Sequence, residues 1–251
     1  MALTQEQIDF YHKHGYLKYG PILTDEEVEL YREEYEREMA IAIEQKTGRN
    51  LSSSDGGVAT ESEQQVYQIV NICDRNIHFR KLLYHEKILQ IVADLMGPSI
   101  QLFHDQALYK PPHSGGAVFW HQDNGYWECR PASLMSCWIT FDDVVRESGA
   151  MQVIPGSHLN PVWHEVGTRG GTLREIQGVD ESQAEVIDLP AGGCMFHHCQ
   201  TLHYTEPNVT DRKRRAHAIH FMPPGTRSVS EHHQNMDISF TRPLLRAGWN
   251  G

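Results

Sequence analysis

The sequence is short of basic residues, of cysteines and of long apolar runs, and each shortage closes off a class of function. Lysine and arginine number 22 against 33 aspartates and glutamates, a formal net charge of −11. A chain this acidic is repelled by nucleic-acid phosphates and by anionic membrane surfaces, so neither is expected as a partner. The one basic run, Arg212-Lys213-Arg214-Arg215, is too short to reverse that balance. The five cysteines (Cys73, Cys129, Cys137, Cys194 and Cys199) are odd in number and show no CxxC spacing. They read as reduced thiols used as small core residues, in a cytoplasmic setting. No apolar stretch approaches the roughly 20 residues of a membrane span. The N-terminal MALTQEQIDFYHKHGY also lacks the basic and apolar regions of a secretory signal.

What the chain has in excess is histidine, 16 in 251 residues. Such a content suits metal or proton chemistry, although most histidines are expected to pack or to face water. The length is enough to bury a sizeable core, and all-β barrels or sandwiches of this size often form one domain.

The first 98 residues read as mainly helical. Thr4 with Gln7 and Thr24 with Glu27 fit the capping box, which predicts helices from Thr4 to near Gly15 and over about Asp25–Glu44. Tyr16–Tyr19 reads as a short strand, and two more helices are expected near Arg75–Tyr84 and over Glu86–Met96. Gly48–Glu63 is a Ser/Gly/Thr-rich loop, and Leu51–Thr60 within it is a candidate lid. From Ile100 onward short apolar or alternating runs take over: Ile100–Phe103, Gln106–Tyr109, Ala117–Trp120, Ser136–Phe141, Met151–Ile154, Val186–Leu189, Cys194–His197 and Ala216–Met222. Gly, Pro and Asn clusters separate them, the pattern of a β-sandwich or barrel with the helices packed outside. The division expected is a helical part to residue 98, a β core over 99–225 and a tail over 226–251, with no repeat and no linker.

Chemistry concentrates in Trp120-His121-Gln122-Asp123. Residues i and i+2 of a strand share a face, so His121 and Asp123 can present two donors to one ion. An HxD alone is a common polar strand end, and a second element gives it meaning. His203 sits at a strand end before Pro207-Asn208, and Arg214 opens the next strand-like run. An antiparallel return is expected to bring Arg214 back beside His203, with Ala216 on the same face leaving room for a small dicarboxylate. Two histidines and one carboxylate on one face of an octahedral ion form the facial arrangement of non-haem iron(II) oxygenases. A chelating 2-oxo acid can fill two of the three remaining positions and dioxygen the third, while a buried arginine pairs with the far carboxylate of that acid. Asn124, Tyr126 and Trp127 follow the HxD directly and are candidate substrate contacts.

The order His121-Gln122-Asp123, Pro155-Gly156-Ser157-His158, then His203, Asn208 and Arg214, resembles the phytanoyl-CoA dioxygenase family. The resemblance runs from the Glu6–Gly15 helix to about Gly225 and is densest from Leu108 to Met222. It implies a double-stranded β-helix, the cupin-like jelly roll, with flanking helices. It also implies iron(II) held by His121, Asp123 and His203, with 2-oxoglutarate and O2 as cosubstrates. Arg214 becomes the anchor of the 2-oxoglutarate carboxylate, Thr205 its helper, Trp138 a wall of the pocket, and Lys110 and Gln106 residues that reach the same pocket. Tyr204 stands where many members have Gly, which would narrow the pocket. Asp at 123, rather than Gly or Ala, frees no position for halide, so hydroxylation is favoured over halogenation. The family's substrates range from acyl-CoA esters to osmolytes and natural-product intermediates. The acidic charge favours a small polar or cationic metabolite, or a secondary metabolite, over a CoA thioester.

Two other readings use the same residues. A zinc ion on two histidines and an aspartate would make a cupin-like hydrolase, but Arg214 would then lack a purpose. A non-catalytic small-molecule-binding jelly roll would have no need of three convergent ligands. His197 and His198 are expected to support ligands by hydrogen bonding. His104, His113, His158, His217, His220 and the His232-His233 pair are expected to be structural or exposed.

Overall fold

Two threonines start the first two helices. The Thr4 hydroxyl accepts from the Gln7 amide while the Gln7 side chain accepts from the Thr4 N–H, and Thr24 and Glu27 repeat the device. Each helix thereby satisfies its first free donors. In the computed structural model, which describes residues 2–51, 66–113, 116–162, 165–166, 174–176, 178–230, 234 and 236–248, α1 spans Gln5–His14 and α2 Asp25–Gln45. Gly15 ends α1 at φ 80°, a left-handed conformation that a side chain resists. Helices α3, Ile77–Leu82, and α4, Glu86–Met96, follow. The helix expected over Arg75–Tyr84 contracts because Ile72–Asp74 forms its own 3-10 turn and Asn76 caps α3, accepting from the His78 and Phe79 amides.

The principal strands, in chain order, are β1 (Tyr16–Tyr19), β2 (Arg49–Asn50), β3 (Tyr67–Val70), β4 (Ile100–Lys110), β5 (Val118–His121) and β6 (Met135–Thr140). They continue with β7 (Met151–Val153), β8 (Glu185–Ile187), β9 (Cys194–His198), β10 (His203–Thr205), β11 (Arg214–Met222) and β12 (Leu244–Arg246). The larger sheet has the order β1-β9-β6-β11-β4-β3-β2, with β12 also on β4. The smaller runs β8-β7-β10-β5. Pairing within both is antiparallel. The two sheets face each other across a cavity, an open jelly roll of the kind that double-sheet folds adopt.

Helices cover the outer face of the larger sheet. Tyr31, Tyr35, Phe79, Ile88 and Val92 pack there against Met135, Cys137, Ile139, Phe196 and Ile219. The inner face carries Trp138, Met195, Ala216 and Ala218, which meet Met151 and Val153 of the smaller sheet. Strand β6 lies between these two layers, so all six of its residues are buried. All five cysteines are free and buried, as expected of small core residues.

Three differences from the sequence reading concern the larger sheet. Ile100–Phe103 and Gln106–Tyr109 are one strand, because the polar pair between them has uses: His104 faces the cavity and the Asp105 carboxylate accepts from the Cys73 amide at 3.1 Å. Tyr67–Val70 and Leu244–Arg246, one in the helical half and one in the tail, both pair with β4. Of the Ser/Gly loop, residues 52–65 lie outside the described residues, as do His232 and His233. Among the described residues no helix is long and apolar enough to cross a membrane.

Candidate active site

His121 is the last residue of β5, and His203, the first of β10, is its register partner. The antiparallel pairing sets their rings 4.0 Å apart between centroids. Asp123 reaches them differently from the i, i+2 expectation. The strand ends at His121, and Asp123 adopts φ −53°, ψ −42° to open a one-turn helix α5, Asn124–Trp127. A turn rather than strand parity thus folds the carboxylate back. Its Oδ1 lies 3.7 Å from Nε2 of His121 and 3.7 Å from Nε2 of His203. One donor atom from each of the three falls within 4.8 Å of the other two, a set that can hold a single metal ion.

Each of these side chains has its other polar atom already engaged. His121 donates Nδ1–H to the Phe119 carbonyl at 2.7 Å, and His203 donates Nδ1–H to the Thr201 carbonyl at 3.0 Å. A carbonyl only accepts, so both rings take the tautomer whose Nε2 lone pair faces the centre. On Asp123 it is Oδ2 that is engaged, accepting from Ser136 Oγ at 3.2 Å and from His197 Nε2 at 3.2 Å, and Oδ1 is left to the centre. Burial pushes the His121 and His203 imidazoles below their ordinary pKa, favouring the neutral form that ligates. Burial alone would raise the Asp123 carboxyl, but the electrostatic influence of the neighbouring His203 ring and the hydrogen bond from His197 outweigh it and hold it well below the usual range.

The three donors open on a cavity of about 660 Å³, ordinary for a small-molecule site. Arg214, 2% exposed, lies along its wall with the guanidinium 5.8 Å from the Trp138 ring centre. One guanidinium nitrogen donates to the Leu108 carbonyl at 3.1 Å, while Nε has no partner. Thr205 Oγ1, on the same cavity, has none either. No described carboxylate comes within ion-pair distance of Arg214. A buried cation and hydroxyl left unpaired are costly, and an anion with two acceptor oxygens would relieve both. The donor set and these orphaned atoms therefore fit a metal ion and a dicarboxylic 2-oxo acid. The route by which Arg214 arrives differs from the expected return beside His203. Strand β10 pairs with β5 and β7, whereas β11 crosses to the larger sheet and pairs Arg214 with Lys110.

The other candidates divide between cavity and support. Trp138, Gln106, Tyr126 and Trp127 line the cavity. Lys110 directs its ammonium to the backbone carbonyls of Thr205 and Glu206, and its pKa is driven well below the usual value by burial and by Arg214. Asn124 closes its own turn, accepting from the Cys129 amide at 2.8 Å. Tyr204 lines the cavity but lies against Trp120, with ring centres 5.3 Å apart. The sequence reading missed His104, Gln68, Leu108, Met151 and Arg49 as lining residues, along with Ser136 and His220 behind Asp123. Alternation along β4 and β11 could have found three of them, His104, Leu108 and His220. His104, Gln106 and Leu108 share the inner face with Ala218 and His220.

A profile of the family described as Phytanoyl-CoA dioxygenase (PhyH) matches residues 11–216. Human peroxisomal phytanoyl-CoA dioxygenase is 28% identical over 235 residues, covering 88% of this chain and 68% of that one. A probable alpha-ketoglutarate-dependent hypophosphite dioxygenase of Stutzerimonas stutzeri is 29% identical over 141 residues, 53% of this chain and 49% of that one. Among solved structures, the non-heme alpha ketoglutarate dependent carbocyclase SnoK of nogalamycin biosynthesis superposes with a TM-score of 0.75 at 23% identity, covering 96% of each chain. The epimerase SnoN, in a complex with Fe3+, alpha ketoglutarate and nogalamycin RO, superposes at 0.76 and 21% identity over 96% of this chain and 98% of that one. At these identities the structural likeness speaks for the jelly roll, while the match over most of the sequence speaks for kinship: the chain belongs to the phytanoyl-CoA dioxygenase family of iron- and 2-oxoglutarate-dependent oxygenases.

Proposed function

We propose that this enzyme hydroxylates an unactivated C–H bond of a small organic metabolite at an iron(II) ion held by His121, Asp123 and His203. One observation carries the ligand assignment: three ligand atoms lie within 4.8 Å of one another while the second polar atom of each side chain is engaged by the protein. When bound, iron(II) with 2-oxoglutarate and dioxygen supplies the oxidising power, and the keto acid leaves as succinate and carbon dioxide. The protein's own work is ligation, orientation and exclusion of water. The Phe119 and Thr201 carbonyls keep both Nε2 lone pairs aimed at the metal. Arg214 and Thr205 grip the far carboxylate of 2-oxoglutarate, with Trp138 packed along the guanidinium. No side chain is required as a general base.

For the substrate, the lining supports something compact and uncharged or anionic. Asp123 is the only carboxylate among the described lining residues, and it serves the metal; Arg49 stands at the rim. Of the small polar or cationic metabolites that the net charge favours, the cationic ones gain no support from this wall. Tyr126, Trp127 and Tyr204 offer flat apolar surface for the carbon skeleton. Buried reduced thiols and a ferrous site suit a reducing compartment such as the cytoplasm.

The direct test is a metabolite-library screen for substrate-dependent succinate under air with iron(II), followed by 18O2 labelling of the product. His121→Ala and Asp123→Ala should abolish both turnover and stoichiometric iron. A variant that keeps normal turnover and iron content would sink the ligand set.

A further inference from the structure

Behind Asp123 a continuous file of polar side chains runs from the metal ligand to the cavity wall. Ser136 Oγ lies 3.2 Å from Asp123 Oδ2 and 2.7 Å from His220 Nδ1. His220 Nε2 lies 3.0 Å from Gln106 Nε2, and the Gln106 carbonyl oxygen accepts from Gln68. Ser136 and His220 are register partners on β6 and β11, and Gln106 and Gln68 stand on β4 and β3, so four adjacent strands of one sheet supply the file. Ser136 and His220 are almost wholly buried, at 0% and 2% exposure. Gln106, Gln68 and His220 line the cavity.

The carboxylate decides the direction of every hydrogen bond in the file. Oδ2 of an ionised Asp123 can only accept, so Ser136 donates to it; a hydroxyl pointed the other way would set lone pairs against the negative oxygen. Having spent its one proton, Ser136 must accept from His220, which fixes the Nδ1–H tautomer. His220 Nε2 is then an acceptor, and it is met by the Gln106 amide nitrogen, whose carbonyl oxygen is met in turn by the Gln68 amide. Donors and acceptors match at every step of the file.

We infer that Ser136 and His220 are positioning residues: the file locks Asp123 Oδ2, keeps Oδ1 as the sole metal-facing oxygen, and ties the ligand's orientation to the cavity wall. This rests on the reading of Asp123 as a metal ligand. Without the lock, only His197 holds Oδ2, and the carboxylate can rotate to offer both oxygens, taking up a position that 2-oxoglutarate or dioxygen needs. Partners of this kind are commonly worth 10–100-fold in metal affinity.

The test uses cobalt(II) as a spectroscopic stand-in for iron(II), titrated into the metal-free full chain by visible absorbance. Ser136→Ala should weaken cobalt binding roughly tenfold and change the absorption envelope, and Ser136→Thr, which keeps a hydroxyl, should restore both. Gln106→Leu, which removes the donor to His220 Nε2 without touching Ser136 or Asp123, should move the spectrum in the same direction by a smaller amount. Thermal melts of the metal-free proteins check that each variant folds. Asp123→Ala is the control on the site itself. If Asp123→Ala removes binding while folded Ser136→Ala and Gln106→Leu bind cobalt with native affinity and spectrum, the positioning role is overturned. If Asp123→Ala binds as tightly as the native chain, the ligand reading itself has failed.

Discussion

At the scale of single residues, the site's character comes from which polar atoms the protein has engaged and which it leaves open. Nδ1 of His121 and of His203 are spent on backbone carbonyls, while Nε of Arg214 and Oγ1 of Thr205 are left without partners on a buried wall. Burial moves the Arg214 guanidinium down to about 10, so the cation persists at neutral pH with no described carboxylate in ion-pair range. An incoming dicarboxylate meets a desolvated charge with at least one donor free. Removing that cation should act on the cosubstrate and not on the metal. Arg214→Ala is expected to raise the 2-oxoglutarate requirement roughly 10- to 100-fold, about 1.5–3 kcal/mol for hydrogen bonds to a charged group, while iron binding changes little. Side-by-side 2-oxoglutarate KM and metal titrations check this, and equal loss of both would indicate misfolding instead.

At the scale of elements, legibility followed the strength of local signals. Capping boxes at Thr4 and Thr24 marked α1 and α2 to within a residue or so, because a hydroxyl and a side chain three positions on is chemistry local to the chain. Thr24 is exposed, so its contribution can be isolated: Thr24→Ala should lower stability by about 1 kcal/mol, read as a shift of the urea midpoint at unchanged slope, and Thr24→Ser should recover most of it. Strand β6 shows the opposite case. Both its faces are buried, so Met-Ser-Cys-Trp-Ile-Thr carries no alternation, and nothing in the run itself says that Trp138 faces the cavity and Ser136 the Asp123 carboxylate while Cys137 and Ile139 face the helices. Strand β3 was missed although Tyr67-Gln68-Ile69-Val70 carries the aromatic and β-branched residues of a strand, because it sits in the half that reads as helical; β12 is a short run, Leu244–Arg246, that pairs with β4.

At the scale of the whole molecule, the many histidines become a stability term. Burial lowers His217 to about 3 and His104 and His198 to about 4, so the folded protein holds these rings neutral. Folded-state values below the unfolded one mean that the stability is fully present above about pH 6.5 and is lost as pH falls through that value toward the folded ones. Asp105 works the other way: burial raises it to about 6, so it holds a proton in the folded state that the unfolded chain releases above its ordinary 3.8. Between about pH 6.5 and 5 these three histidines gain protons on unfolding, as do His121, His203 and His220, which burial also holds below the ordinary value. One carboxyl loses a proton, so unfolding takes up protons on balance and stability falls with pH. The metal-free chain should therefore lose melting temperature steeply below pH 6.5, well before ordinary carboxylates titrate. A flat melting temperature from pH 7 to 5.5 would contradict this account.

The sequence by itself determined the chemistry on offer: a histidine and an aspartate two apart, a later histidine, an arginine eleven residues beyond it, and strand-forming runs enough for a two-sheet core. These are covalent spacings and residue types, which need no fold to be read. Only the tertiary structure decided that the Asp123 carboxylate arrives by a turn and not by strand parity, that Arg214 reaches the cavity by crossing between sheets, and that Ser136 and His220 stand behind Asp123. Each of those depends on which strands pair and in what register, and register is fixed by long-range packing of the two sheets and the helices over them, which no local stretch of sequence encodes.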